Sequence, residues 1–448
     1  MALSTPAAPS SALFILRGST LLTMISIPLI FRLLLVTSQS SGNARIEILN
    51  LGNNYLTGNV SPWICNLSHL RYLDLSSNKF SGMLPQCVGN FSDALEHLNL
   101  ANNSFHGILP ETFTNRGSSL SMFDVSHNHL EGQLPRSLAN CATLEFLVLS
   151  NNQFDDVFPI WLGSLQKLKI LAMSHNGFYG AIGQPKKNIV QFPQLQILDL
   201  SYNRFRGEFP AEYIFSSYAI RGISLSHKRS FPDSYSYYLQ CSITITNKGI
   251  EIHYPKIQED FVAIHISSNR FEGNIPEFIG KLKGLRSLNI SNNSFTGRIP
   301  SSFGNLTLLE SLDLSHNQLS GQIPQQLSQL WFLAKFNVCH NNLTGHIPGG
   351  NQFSTFDITS FEGNPGLCGD PLPKKCENPE GILLPPSISD PEGSGIKVDW
   401  IFALAGLGSG LVVGVVLADV AIAKWDEQFI ETVGMLTKLV RRMRRCRR

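Results

Sequence analysis

The sequence predicts a curved solenoid of short stacked strands, and three observations carry that prediction. One pattern, LxxLxLxxNxLxGxIP, recurs at a step of about 24 residues from residue 46 to residue 348, with a single gap. Its asparagines fall at Asn54, Asn78, Asn103, Asn128, Asn152, Asn176 and Asn203, then at Asn269, Asn293, Asn317 and Asn341, and each is followed two residues later by Leu or Phe. The composition, 43% hydrophobic and 15% charged over 448 residues, excludes a disordered chain, and 36 Gly without a three-residue period exclude a collagen-like one. A formal charge of +2, from 35 Lys and Arg against 33 Asp and Glu, also leaves no basic excess for a nucleic-acid partner.

Each element follows from one unit. Leu309 to Pro324 reads LESLDLSHNQLSGQIP, with Leu309, Leu312, Leu314, Leu319 and Ile323 as its apolar positions. The alternation at Leu312 and Leu314 predicts a short strand. No single unit can bury its apolar face, so neighbours must stack to build a core. The asparagine must find hydrogen bonds wherever it is buried. Departures are few: Asp156 stands where Gly is expected, and Val60 is followed by Ser61 rather than Pro.

Eleven copies of this motif resemble leucine-rich repeats of the plant type, with the Gly-x-Ile-Pro extension. The resemblance implies an α/β-type leucine-rich-repeat solenoid with parallel strands on its concave face. It also implies that the asparagines bond the backbone of their turns and form a ladder along the stack. Repeats 1–7 occupy 43–210 and repeats 8–11 occupy 261–348. Between them, 211–260 is rich in Ser and Tyr, including Tyr235, Tyr237 and Tyr238, and is not a repeat. It ends in an Ile243/Ile245 alternation, an Asn247-Lys248-Gly249 turn signal and a second alternation at Ile250, Ile252 and Tyr254, which predicts a hairpin. Its position resembles the island that interrupts the ectodomains of plant receptor-like proteins; the other reading is a tolerated surface insertion.

After the last repeat, residues 349–376 contain FEGNPGLCGDPLPKKC, in which Cys368 and Cys376 are close enough to bridge and cover the end of the stack. The run Asn364 to Gly369 is similar to the C-terminal cap of the same family, and a structural disulfide implies an oxidising compartment. Eight sequons, at Asn59, Asn66, Asn90, Asn102, Asn289, Asn292, Asn305 and Asn342, agree with that compartment. The pairing of Cys65, Cys87, Cys141, Cys241 and Cys339 is left open by the sequence.

Residues 377–400 read as an acidic juxtamembrane linker, 401–423 as a membrane-spanning helix and 424–448 as a basic tail. Lys438, Arg441, Arg442, Arg444, Arg445, Arg447 and Arg448 place that tail in the cytosol and the repeats outside, a single-pass type I protein of the plasma membrane. Gly406, Gly410, Gly414 and Ala418 share one face of the helix, where small side chains let another helix approach. At the other end, residues 1–42 hold an apolar stretch, Leu21 to Val36, interrupted by Arg32, which reads as an imperfect signal peptide. The paired-cysteine cap that usually follows it in this family is missing, so the expectation is a shortened member.

The residues do not predict an enzyme. His127, His175, His316 and His340 all stand one place before a repeat asparagine, and even spacing along a solenoid makes a stripe rather than a converging catalytic pocket. No His/Cys spacing resembles a zinc site, and no glycine-rich phosphate loop appears, so neither metal nor cofactor is expected. The expected surface is a long, polar, ligand-binding concave face around Asp74, Ser77, His127, Asn151, His175 and Tyr202. The resemblance implies a receptor-like protein in defence or development that binds an extracellular peptide or protein. It would lack a kinase, pair with a partner receptor kinase through its membrane helix and recruit a coreceptor kinase through repeats 8–11. Two rival readings are a truncated non-signalling decoy and an inhibitor of extracellular wall-degrading enzymes.

Overall fold

The computed structural model describes residues 11–15 and 45–376, apart from 91–93, 114–118, 184–190, 212–213, 215, 224–242, 248–249 and 255–259. The stretch Leu21 to Val36, the tyrosine-rich part of the island, Cys241 and everything after Cys376, including Gly406, Gly410, Gly414 and Ala418, therefore lie outside the described residues. Among the described residues no helix is long and apolar enough to cross a membrane.

Each repeat contributes a short strand, three residues long in all but the first, and with Ser11–Ile15 these strands pair in parallel into one broad sheet of twelve. The order runs from Ser11–Ile15 and Arg45–Asn50 through Tyr72–Asp74, His97–Asn99, Met122–Asp124, Phe146–Val148, Ile170–Ala172 and Ile197–Asp199 to Ala263–His265, Ser287–Asn289, Ser311–Asp313 and Lys335–Asn337. The central leucine of each strand points inward, as the pleat requires: Leu73, Leu98, Leu147, Leu288 and Leu312 are all buried. Short 3-10 helices, such as Pro62–Asn66 and Ser301–Asn305, close the opposite side of the stack. Burying such a side chain is worth roughly 1.5–3 kcal/mol, so several leucines per unit, shared with the units on either side, make stacking obligatory.

Phenylalanines two places after the asparagines form a spine. Phe154, Phe178, Phe205, Phe271 and Phe295 stack with ring centroids 6.2–6.3 Å apart. The spine crosses the island without a break: Phe205 meets Phe271, and Ile197–Asp199 pairs in register with Ala263–His265. The insertion thus leaves the stack and returns to it, and within it Ile243–Asn247 and Ile250–Tyr254 pair as an antiparallel hairpin.

The asparagine ladder takes the form the family resemblance implies. Asn128 donates from Nδ2 to the carbonyls of Leu100, Val125 and Ser126 at 3.0–3.1 Å, and its Oδ1 accepts from the N–H of Phe105 in the preceding repeat. Asn364 continues the same ladder, accepting from Leu343 N–H and donating to Val338 and Phe361, so the cap is built as a degenerate twelfth repeat. Cys368 is bonded to Cys376 within it.

A second, narrower sheet follows the turn, and it is split where the sequence departs from its pattern. In most repeats a glycine holds φ near 80° there, as Gly132 does at 78°, with its missing Cβ leaving room for Ile108. Asp156 cannot take that conformation cheaply. Its carboxylate instead accepts from the N–H groups of Leu134 and Val157, and the sheet divides there into one set ending at Gln153–Phe154 and another starting at Tyr179–Ala181. A further bridge joins Cys65 to Cys87, tying the helical turn of the first repeat to that of the second.

Candidate ligand-binding face

The strand-lined face consists of parallel columns in which each repeat contributes one residue. The last strand residue, followed two places later by a small residue, makes a side-chain turn. Asp74 Oδ1 accepts from the N–H and hydroxyl of Ser76 at 2.9 and 2.6 Å, and Asp124, Asp199 and Asp313 treat Ser126, Ser201 and Ser315 in the same way. Asn50, Asn99, Asn289 and Asn337 fill the same slot with amides. Asp74 is buried and committed to this turn, so it is not the exposed binding group expected from the sequence. Burial raises its carboxyl above the usual carboxylate range against the pull of the Ser76 and Tyr72 hydrogen bonds. Asp124, more deeply buried, is pushed up to about 6 by the same desolvation.

Three places after the last strand residue of every repeat the backbone turns left-handed. Asn53, Ser77, Asn102, His127, Asn151, His175, Tyr202, Ser268, Asn292, His316 and His340 all have φ between 51° and 57°. Asn and His are among the residues that tolerate this region best, which is why they recur one place before the repeat asparagine. The remaining five candidates, Ser77, His127, Asn151, His175 and Tyr202, therefore share one turn column at the edge of the strand face, not the strands themselves. Their side chains contact one another along the stack. His175 lies on Tyr202 with centroids 4.1 Å apart, Asn151 Nδ2 is 3.3 Å from His127 Nε2, and Asn102 reaches Ser77. His127 and Tyr202 are exposed, and the others are half-buried.

The opposite edge carries ion pairs between repeats: Lys169 with Glu145 at 2.7 Å, Arg286 with Glu310 at 2.9 Å and with Asp260, and Arg71 with Glu96. Between these edges, over the strands on either side of the insertion, the face changes character. Phe146, Val148, Ile170, Ala172, Ile197, Phe261 and Ala263 form an apolar cluster separate from the main core. Ile170, Ala172, Ile197 and Ala263 have no exposed surface. The middle of the strand face is thus apolar and closed to solvent, where the sequence reading expected a broad polar surface. Hydrophobic residues between the pattern leucines were the available signal.

Burial lowers the pKa of two histidines on this face. Burial and the Arg71 charge depress His97 to about 4, and desolvation depresses His265, against Asp199 and Asp313. Among the described residues one soft-ligand group is also assembled: His316, Cys339 and His340, whose donor atoms lie within 4.8 Å of one another. Cys339 and His340 stand 23 and 24 residues after His316, so a search for compact His/Cys spacings passes over the trio.

Short parallel strands, the asparagine ladder and the phenylalanine spine define a leucine-rich-repeat protein. Leucine-rich-repeat family profiles match residues 93–154 and 262–319, and 45–67, 69–91 and 194–213. The chain belongs to the plant leucine-rich-repeat receptor-like proteins. It is 42% identical to receptor-like protein 32 of Arabidopsis thaliana over 392 residues, which are 86% of this chain and 44% of that protein. It is 46% identical to receptor-like protein 54 of the same plant over 383 residues, 83% and 48%. The chain thus spans less than half the length of these relatives. Among solved structures it resembles the ectodomain of the Arabidopsis receptor kinase HAESA in complex with an N-terminally extended IDA peptide hormone, at 31% identity and a TM-score of 0.53, covering 74% of this chain and 52% of that one. HAESA in complex with IDA and the co-receptor SERK1 matches at 29% and 0.53, covering 72% and 50%. The matched regions are receptor-like proteins and the extracellular repeats of receptors.

Proposed function

We propose that this chain is the ligand-binding and anchoring part of a receptor-like protein at the plasma membrane, with its repeats outside the cell. It binds an extended peptide along the left-handed turn column and signals through partner kinases. The observation that carries this is the column itself: a row of polar and aromatic side chains, His127 and Tyr202 among them, presented at fixed backbone angles beside the strand face. A peptide laid along such a row meets one side chain per repeat, which suits an extended chain better than a compact small molecule. The peptide-bound HAESA ectodomain supports the ligand class, and the HAESA complex with SERK1 supports a coreceptor as partner, for which repeats 8–11 are the proposed docking surface. Residues 401–423 anchor the chain, and Gly406, Gly410, Gly414 and Ala418 offer the close face for a partner kinase helix.

The test uses the full chain, detergent-solubilised from plant membranes, against peptides below about 10 kDa from apoplastic fluid, a size that one solenoid face accommodates. Bound peptides are identified by mass spectrometry, with a His175→Asn/Tyr202→Asn variant in parallel. Asparagine is the resident of this slot in four other repeats, so the variant keeps its turns. Peptides retained by the native chain and lost from the variant are the expected result. No retained peptide, or the same peptides on both proteins, refutes the reading.

A further inference from the structure

The slot two places before each repeat asparagine is occupied by serine in eight of the eleven units: Ser76, Ser126, Ser150, Ser174, Ser201, Ser267, Ser291 and Ser315. Gly52 and Ala101 fill two others, and in the last unit the slot holds Cys339. Its thiol is buried and hydrogen-bonded to Ser315 and Asn337. The adjoining slot is the left-handed turn column, and at this end of the stack two consecutive units place histidine there. His316 and His340 lie ring on ring with centroids 4.4 Å apart and an interplanar angle of 20°, and both are exposed.

The stacking alone is ordinary, since His175 and Tyr202 do the same. What differs is the sulfur beside it. The thiol and one ring nitrogen from each imidazole all lie within 4.8 Å of one another. The position after His340 in the column is Gly363, at φ 72°, and a Cβ there would stand 2.5 Å from His340 Nδ1 and 2.9 Å from its Cγ. That glycine is what gives the His340 ring its place. The carboxylates of Asp313 and Glu362, in the neighbouring turns, add negative potential around the sulfur.

We propose that His316, Cys339 and His340 form a binding site for a borderline-soft transition-metal ion such as zinc(II). One thiolate and two imidazoles are the donor set such an ion prefers, while magnesium and calcium call for oxygen ligands. Tetrahedral coordination needs donor separations of about 3.3–3.6 Å. The buried sulfur stays in place, and the two exposed rings close the remaining distance by turning about their side-chain bonds. On binding, the thiol proton leaves to solvent and the sulfur–metal bond takes its place. The fourth coordination position opens to the surface, within the repeats assigned above to coreceptor docking, so the ion would present a free site where a partner's histidine or carboxylate could reach it.

The test is titration of the purified full chain, carrying no polyhistidine tag, with cobalt(II) as a spectroscopic stand-in, followed by competition with zinc(II). The expected result is one equivalent of cobalt with a sulfur-to-metal charge-transfer band in the near ultraviolet, displaced by zinc and unaffected by excess magnesium. Cys339→Ser removes the band, and His316→Asn or His340→Asn each weakens binding at least tenfold. Serine and asparagine occupy these slots elsewhere in the stack, so the variants retain the fold, which circular dichroism checks. His127→Asn, a control in the same column, leaves the titration unchanged. Cobalt binding without the thiolate band, a band that survives Cys339→Ser, or histidine variants with native affinity would each overturn the site.

Discussion

Replacing Asn128 by alanine isolates what one rung of the asparagine ladder contributes. The three carbonyls that receive its Nδ2 each keep another donor: Leu100 from Asn103, Val125 from Asn152, and Ser126 from the N–H of Asn102. The group left without a partner is the N–H of Phe105, beside a fully buried ring. Stranding a buried donor costs about 1–3 kcal/mol, and the lost Nδ2 bonds add about 1 kcal/mol, so the variant should be destabilised by about 2–4 kcal/mol. Because solenoid stability is a sum over neighbouring units, the loss should be local. Native-state hydrogen exchange measures it: amides of 100–128 should exchange about 30- to 1000-fold faster, with Phe105 foremost, while those of 311–343 keep their protection. Unchanged exchange at Phe105, or acceleration spread evenly over the stack, would refute the ladder as a set of separable rungs.

Three further outcomes follow from the same geometry. Asp124 is raised from 3.8 to about 6, so the folded state binds its proton more tightly than the unfolded chain; stability from this group is greatest below pH 4 and is lost as pH rises through 6. Asp124→Asn, which preserves the turn acceptor, should gain relative to the native chain between pH 4 and 7 by up to about 3 kcal/mol, and an equal melting difference at both values would contradict this. His97, depressed from 6.5 to about 4, has the opposite sign, losing stability as pH falls from 6.5 towards 4, so His97→Gln should help only on the acid side, as melting curves at pH 4.5 and 7 would show. Removing the Cys65–Cys87 bridge with a double serine variant should lower stability by about 3 kcal/mol for a closed loop of this length and speed proteolysis of the first two repeats.

Most of the fold was legible because repetition averages away local ambiguity. One strand of three residues is a weak signal, but eleven in phase are not, and Phe205 and Phe271 could be aligned across the island from their asparagines alone. The face was less legible. Asp74 and Tyr202 both read as polar and variable, yet the first is consumed by Ser76 and the second is presented at the edge. What separates them is a backbone angle and a side-chain turn, and neither appears in hydropathy. The Cys65–Cys87 bond and the His316–Cys339–His340 cluster were hidden for a related reason: each joins side chains from two consecutive repeats, distant in sequence and one strand spacing apart in space.

That geometry also determines where the chain is free to change. The asparagine, leucine and glycine columns are each fixed by a hydrogen bond, a core contact or a positive φ, so substitution there costs stability. In the left-handed column only the backbone is constrained, and Asn, Ser, His and Tyr all satisfy it. Side chains in that column therefore vary at little energetic cost, while their positions repeat with the stack. A receptor needs both properties: contacts that can be changed one at a time, and a spacing that does not move when they are. The serine column obeys the same logic at Cys339, where one atom, oxygen to sulfur, converts a turn contact into a metal donor while leaving every backbone bond of the turn in place.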